Sequence, residues 1–270
     1  MDDSFAAASA LTPAGEGRFT WSVPDGWQQG KGAFGGIVLG TLLRAMTACE
    51  PDAARRVRSL SGELPAAVVL GATEIAVEIL RRGGGTTFVQ ARATQASGTV
   101  ARASALFALS RPAGSTRTSV TPPVLPPIGD VAPRPTPEVG AIAPPFTNHY
   151  EYRPLPPYAY SSAPVAAAGG WVRERMAPGV VAPLDGPAII GLLDAWWPAA
   201  LACESTPRPM ATVTFTAEVL VDPATLDAEA PFAYRARIEG AADGFSVECR
   251  ELWQGTTLVA LNQQVFAILA

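Results

Sequence analysis

One carboxylate stands out because it lies in the middle of an otherwise apolar segment. Residues 186–203 read GPAIIGLLDAWWPAALAC, and Asp194 is the only charged residue among them. A helix that is apolar on nearly every face is buried, and a buried carboxylate is costly unless it is paired or hydrogen-bonded. Asp194 is therefore expected either to bond a structural partner, such as a backbone amide or an arginine, or to act as a general base.

The residues around Asp194 predict how its helix begins and ends. Asp185 is a good N-cap, and Pro187 suits the first helical turn. Pro198 is expected to bend or end the helix soon after Asp194. A second apolar helix is predicted from Gly36 to about Cys49, with Arg44 as its only charge.

The composition bounds the class of protein. The chain has 270 residues, of which 48% are hydrophobic and 16% charged, which is typical of a globular protein with a large core. A net charge of −4 without any Lys/Arg run argues against nucleic acid or a membrane surface as the main partner. No secretory signal or membrane span is indicated, so a cytoplasmic location is expected. The three cysteines lack the spacing of a metal site or a disulfide framework, and no metal or cofactor is expected.

Alternation of apolar and polar residues predicts strands on both sides of a proline-rich segment. Strands are predicted at 17–23, 56–65, 73–80, 86–95 and 99–110, and then at 147–153, 170–176, 210–220, 231–239 and 244–269. Residues 111–145 lack periodicity and are predicted to be an extended linker. The two halves share one element order, which predicts a duplicated unit spanning 1–110 and 146–270.

Four stretches give the chain a family resemblance: FGGIVLG (34–40), LLDAWWP (192–198), MATVTF (210–215) and VALNQQVF (259–266). In this order and spacing they resemble the acyl-CoA thioesterase II family and its thioesterase-like relatives, over nearly the whole chain. The resemblance implies an α+β double hotdog fold, with two repeats that each wrap a curved antiparallel sheet around a central helix.

The resemblance also implies an activity and the residues that carry it. Family hydrolases of this kind cleave an acyl-CoA thioester to the free acid and CoA, a reaction of fatty acid metabolism. They hold a water with an Asp, a Thr and a Gln, and these roles fall on Asp194, Thr212 and Gln264. A partly desolvated carboxylate can take the proton of the water, while a hydroxyl and a carboxamide can orient it.

Two of these assignments depend on strand geometry. Thr212 begins a run of polar residues that alternate with apolar ones, so it could equally lie on the outer face of its strand. Gln263 and Gln264 point to opposite faces, and the register of Val259 and Ala260 selects Gln264. The charge that develops on the thioester oxygen needs backbone N–H donors, for which the glycine-lined helix starts at Gly35-Gly36 or at Gly186 are candidates.

The first repeat predicts a single active site per chain. At the spacings of the two repeats, Arg44, Ser59 and Ala105 occupy the places of Asp194, Thr212 and Gln264. Arg44 is expected to be a salt-bridged core residue rather than a contact for a CoA phosphate.

Other functions stay open at this point. A non-catalytic acyl-thioester-binding module and a hotdog-type enoyl-CoA hydratase are the alternatives, and the hydratase would need His149 as its catalytic histidine. Residues 30–35, GKGAFG, match the dinucleotide fingerprint but lack a preceding buried strand. Trp196 and Trp197 favour a short or medium acyl chain. Association of such chains into a homo-oligomer is left open.

Overall fold

The computed structural model describes residues 3–112, 117–134, 143–176 and 184–269. Its α-helices are α1 (Phe5–Ala8), α2 (Gly35–Ala48) and α3 (Gly186–Asp194). The strands of the first half are β1 (Thr12–Gly15), β2 (Arg18–Val23), β3 (Gln28–Gln29), β4 (Gly32–Ala33), β5 (Arg56–Glu63), β6 (Gly71–Arg82), β7 (Thr86–Gln95) and β8 (Gly98–Ala108). Those of the second half are β9 (Tyr150–Leu155), β10 (Ala167–Glu174), β11 (Met210–Val219), β12 (Phe232–Ala242), β13 (Phe245–Gln254) and β14 (Thr257–Ile268).

Twelve of these strands form one antiparallel sheet with a repeated order. The order is β1-β2-β6-β7-β8-β5-β11-β14-β13-β12-β10-β9, while β3 and β4 form a separate hairpin. Read outward from the central pair β5 and β11, the two halves use their strands in the same sequence. The predicted α+β fold of two related repeats is therefore confirmed, whereas the limits 1–110 and 146–270 stay predictions.

The two long helices lie against each other and against the sheet. α2 packs on β6, β7 and β8, and α3 packs on β13 and β14, so each helix covers the strands of its own half. Burial on every side explains the lack of polar residues: Ile37 and Leu42 in α2 and Ile190 in α3 are all fully buried.

The predicted start of α3 is also confirmed. The side chain of Asp185 accepts a hydrogen bond of 2.8 Å from the N–H of Ala188, as an N-cap does. The helix ends at Asp194, four residues before Pro198, and a short 3₁₀ turn over Ala199–Ala202 follows. Asp194 thus occupies the last turn, where backbone carbonyls lack partners within the helix.

The described part of the predicted linker packs against the second half. The indole N–H of Trp171 donates to the carbonyl of Pro126, and Arg153 donates to the carbonyl of Val131. Val120 and Leu125 add apolar contacts beside Trp171. Residues 113–116 and 135–142 of this segment lie outside the described residues.

Candidate active site

Asp194 is buried and hydrogen-bonded at the end of α3. Its carboxylate is contacted from three sides, and the residue is only 7% exposed. Gln264 Nε2 donates to Oδ1 at 2.9 Å, the backbone N–H of Gly36 donates to the carboxylate, and Arg250 NH1 lies 3.6 Å from Oδ1. Burial raises the pKa of Asp194, and Arg250, Gln264 and Gly36 oppose that rise. A carboxylate in this state can act as a base near neutral pH.

Gln264 lies inside the molecule, as the register of the last strand predicts. It is fully buried, whereas Gln263 is exposed. Its Nε2 donates to Asp194 and, at 3.0 Å, to Asn262 Oδ1. Its Oε1 accepts a 3.2 Å hydrogen bond from Thr212 Oγ1. Both N–H donors of the amide are therefore used, while Oε1 retains one lone pair for a further donor.

A β-bulge decides which face of β11 Thr212 occupies. Along this strand Phe215 and Ala217 point inward, so strict alternation would place Val213 inward and Thr212 outward. The pairing with β14 shifts between Thr212 and Thr214, and Val213 is 36% exposed. The extra residue turns Thr212 to the inner face, where its hydroxyl reaches Gln264. Asp194, Thr212 and Gln264 thus form one hydrogen-bonded chain.

The glycines at the start of α2 leave room for the carboxylate of Asp194. A Cβ atom at Gly35 would lie 2.8 Å from Asp194 Oδ2, and one at Gly36 would lie 3.0 Å from Asp194 Cβ. Any side chain at Gly35 would therefore press on the carboxylate itself.

The structure places Gly186, the other candidate for the oxyanion, at the far end of α3 from Asp194. Gly186 is the first residue of the helix that Asp194 ends, which separates the two by about 12 Å at 1.5 Å per residue. A Cβ there would meet Val57 and Leu43 of the first repeat. Its lack of a side chain serves helix packing.

The first repeat has no equivalent set of polar residues at the corresponding place. β5 carries the same bulge as β11, between Val57 and Ser59, and Ala105 pairs with Leu60 as Gln264 pairs with Phe215. The position of Thr212 is therefore matched by Val57, and the alignment with Ser59 is wrong by two residues. Spacing alone missed this because the offset between the repeats changes along the chain, and only the strand pairing fixes its value at β5 and β11.

Arg44, the counterpart of Asp194, is a salt-bridged residue as predicted. Its NH1 lies 2.9 Å from Asp185 Oδ2, and its Nε donates to Ser9 Oγ at 2.8 Å. It thus takes part in holding the start of α3.

Strand β13 contributes two charged residues that the sequence did not single out. Glu248 and Arg250 are both essentially unexposed, and Arg250 Nε donates to Glu248 Oε1 at 2.8 Å. Their signal in the sequence was weak because three charges occur within VECREL, and alternation does not say which of them face inward. Glu251, the third, lies on the opposite face with Arg235 and Arg237.

A small cavity is lined by Ala195 and Met210, which lie within two residues of Asp194 and Thr212 in the chain. Its volume is about 160 Å³, and its walls are mostly aromatic and apolar. The lining includes Phe146, Tyr160, Trp196, Trp197, Leu201 and Met210, with Gln29 and Arg208 as polar members. A larger groove of about 690 Å³ is lined by polar side chains of the first half such as Gln90, Arg92 and Arg102. Neither space is lined by Asp194, Thr212 or Gln264 themselves, but the smaller cavity is lined by Ala195, the residue after Asp194, so we consider it for substrate.

Two other sequence features have structural roles. His149 stacks on Trp27 at a ring distance of 4.0 Å, and its Nε2 lies 3.1 Å from the carbonyl of Gly26. Residues 30–35 form the turn of the β3–β4 hairpin and the entry into α2, not the strand-to-helix turn of a dinucleotide site.

Within the described residues, no cluster of side chains suited to a metal ion is present, and no helix is long and apolar enough to cross a membrane.

Comparison with known proteins gives a consistent result. A model of the acyl-CoA thioesterase N-terminal domain matches residues 23–108, and one of the acyl-CoA thioesterase C-terminal domain matches residues 125–268. The second match alone covers more than half of the chain. The comparison with curated proteins gave no match.

Solved structures share the fold over the full chain. A conserved protein of unknown function with a hot dog fold from Alicyclobacillus acidocaldarius has 27% identity and a TM-score of 0.87, covering 98% of both chains. An acyl-CoA thioesterase II from Mycobacterium marinum has 18% identity and a TM-score of 0.75, again covering 98% of both. The expected double hotdog fold is confirmed.

Proposed function

The chain belongs to the acyl-CoA thioesterase family, a family of thioester hydrolases, and from this premise we propose that it hydrolyses an acyl-CoA with a water held by Asp194, Thr212 and Gln264. The observation that carries the proposal is the hydrogen-bonded chain from Thr212 through Gln264 to the buried carboxylate of Asp194. These three side chains together offer a base, the Asp194 carboxylate, and two further hydrogen-bond acceptors, the oxygens of Thr212 and Gln264.

The proposed reaction needs one water and no covalent intermediate. Asp194 takes a proton from the water as its oxygen attacks the thioester carbon. The second hydrogen of the water can be accepted by Thr212 Oγ1 or by the remaining lone pair of Gln264 Oε1. The resulting tetrahedral intermediate collapses by breaking the C–S bond, and the leaving thiolate of CoA takes up the proton that Asp194 received. The products are the free acid and CoA.

We assign the stabilisation of the oxyanion to the N-terminal end of α2. The N–H of Gly36 already donates to Asp194, so it positions the base, and the N–H of Gly35 is the donor proposed for the oxyanion. The positive end of the helix dipole favours negative charge at this place.

The aromatic cavity is the proposed site of the acyl chain. Trp196 and Trp197 follow Asp194 within three residues and form part of its wall. Its volume of about 160 Å³ corresponds to roughly five groups the size of a water molecule. A short or medium acyl chain is therefore proposed as the preferred substrate.

A panel of acyl-CoA substrates tests both parts of the proposal. Release of free CoA thiol is measured against chain length for the wild type and for Asp194→Asn. We expect the highest kcat/KM on short or medium chains and its loss in Asp194→Asn. Strongest turnover on a C16 chain would refute the assignment of the cavity. Binding of acyl-CoA without thiol release would support a non-catalytic acyl-thioester-binding module instead.

The hydratase alternative has less support. Its catalytic histidine would have to be His149, whose ring is stacked on Trp27 and whose Nε2 contacts Gly26. Hydration of an enoyl-CoA, measured in parallel, is expected to be absent.

A further inference from the structure

A buried ion pair on β13 holds the end of the helix that carries Asp194. Arg250 NH1 donates to the carbonyl of Leu193 at 3.0 Å and lies 3.6 Å from Asp194 Oδ1. Leu193 lies in the last turn of α3, where the carbonyl lacks a partner within the helix, and a cation is favourable at that end. Arg250 therefore contacts both the backbone and the side chain that the reaction depends on.

Glu248 anchors this arginine on its other side. Glu248 Oε1 accepts from Arg250 Nε at 2.8 Å, and Oε2 accepts from the N–H of Ala199 at 2.6 Å. Ala199 begins the 3₁₀ turn after α3. The pair thus spans the segment on both sides of Asp194, and neither residue is accessible to solvent beyond about 1%.

The first repeat shows that the fold does not require this pair. Glu248 pairs with Gln264 and Arg250 with Asn262, and the same register in the first repeat pairs Val89 with Ala105 and Ala91 with Ala103. The counterparts of both charged residues are therefore small apolar residues. Because a buried ion pair often gives no more stability than apolar residues, packing alone does not explain why it is present next to Asp194.

We propose that Glu248 and Arg250 are a positioning pair for thioester hydrolysis, which holds the last turn of α3 and orients the carboxylate of Asp194 toward the attacking water. This inference rests on the proposed role of Asp194 as the base. Gln264 fixes the same carboxylate from β14, so that the two neighbouring strands restrain it together.

The charges of the pair act on Asp194 in opposite directions. Burial raises the pKa of Asp194 and Arg250 lowers it, while the negative charges of Glu248 and Asp194 repel each other. Among the residues that the structure describes, the other titratable groups coupled to Asp194 are the hydroxyls of Tyr150 and Tyr152 on β9 and of Tyr234 on β12, whose pKa values are raised by burial. These tyrosines stay neutral through the working pH range. The charges near Asp194 that substitutions can remove are therefore those of Glu248 and Arg250.

Two neutralising variants with opposite expected shifts test the inference. Arg250→Gln should move the acid limb of the kcat pH profile to higher pH and lower the plateau kcat by about 10- to 10²-fold, because the carboxylate loses a favourable charge and a restraint. Glu248→Gln should move the same limb to lower pH. Arg250→Lys should restore part of the loss, and KM should change little in all three.

The matched control is Glu251→Gln on the opposite face of the same strand. Glu251 is also buried and paired with arginines, but its partners Arg235 and Arg237 lie away from Asp194. It should keep both the plateau kcat and the position of the acid limb, even if its melting temperature falls. If Arg250→Gln does not fold, the neutral double variant Glu248→Gln/Arg250→Gln takes its place.

The outcome separates the two hypotheses. Loss of activity in Asp194→Asn together with wild-type kcat and acid limb in the folded Arg250 and Glu248 variants would overturn the positioning pair and leave the proposed function standing. Full activity of Asp194→Asn would overturn the proposed function and, with it, the positioning pair. Opposite shifts of the acid limb together with a lower plateau kcat in the folded Arg250→Gln variant support the inference, because a pair that only adds stability would leave the plateau kcat unchanged.

Discussion

Replacement of Asp194 by Asn separates a catalytic carboxylate from a structural one. The substitution keeps the size of the side chain and an oxygen that can accept from Gln264, but it removes the base. We expect kcat to fall by about 10²-fold or more, the scale of a lost general base. Thiol release under saturating acyl-CoA measures this directly.

The stability of this variant follows from the partners of Arg250. If Asp194 were the sole partner of that buried cation, its loss would cost about 3–5 kcal/mol, or roughly 6–20 °C in melting temperature for a chain of this size. Glu248, however, remains 2.8 Å from Arg250 Nε and balances its charge. The wild-type trio of Asp194, Glu248 and Arg250 carries one excess negative charge, and the variant removes it. The melting temperature should therefore stay within about 2 °C of the wild type or rise.

The difference in stability between Asp194→Asn and the wild type should depend on pH with a definite sign. Burial raises the pKa of Asp194 in the folded state, so ionisation of this group destabilises the fold above that pKa. Any gain in stability of Asp194→Asn should be fully present above the raised pKa and should vanish as the pH falls toward the ordinary value for aspartate. Thermal melts at several pH values measure it. A drop of 6 °C or more at neutral pH, or a well-folded variant with near wild-type kcat, would refute the reasoning.

Four further predictions follow from the same geometry. Gln264→Ala should lower kcat by roughly 10²-fold while Gln263→Ala stays mild, and the reverse ranking in equally folded variants would contradict the register of β14. Thr212→Val should lower kcat by about tenfold with little loss of stability, because the first repeat accommodates a valine at this place; unchanged kinetics would exclude the hydroxyl from the reaction. Gly35→Ala should reduce kcat by about 10²-fold through displacement of the carboxylate, which a structure of the variant would show, whereas an unshifted Asp194 would count against it. Titration with a non-hydrolysable acyl-CoA analogue should give one site per chain, and two equivalent sites would contradict the asymmetry of the repeats.

Much of the fold follows from local patterns. The apolar helices, the N-cap at Asp185 and the strands of both halves are properties of short segments, and their periodicity indicated them without knowledge of any contact. The single charge within residues 186–203 indicated the importance of Asp194 in the same way, because a buried carboxylate needs a partner or a function wherever it lies. The register of the last strand needed only its alternation, and it identified Gln264 correctly as the inward residue.

The tertiary structure decided the features that depend on contacts between distant segments. Thr212 faces inward only because a bulge against β14 shifts its strand by one residue, and no residue within β11 specifies that pairing alone. Gly186 lies at the opposite end of α3 from Asp194, whereas Gly35 lies beside Asp194 because α2 and α3 from different repeats pack together. Glu248 and Arg250 were hidden for the same reason. All three neighbouring charges on β13 are buried, and which of them face Asp194 depends on the helix that packs against one face of the strand. The order of residues along the chain does not specify that face.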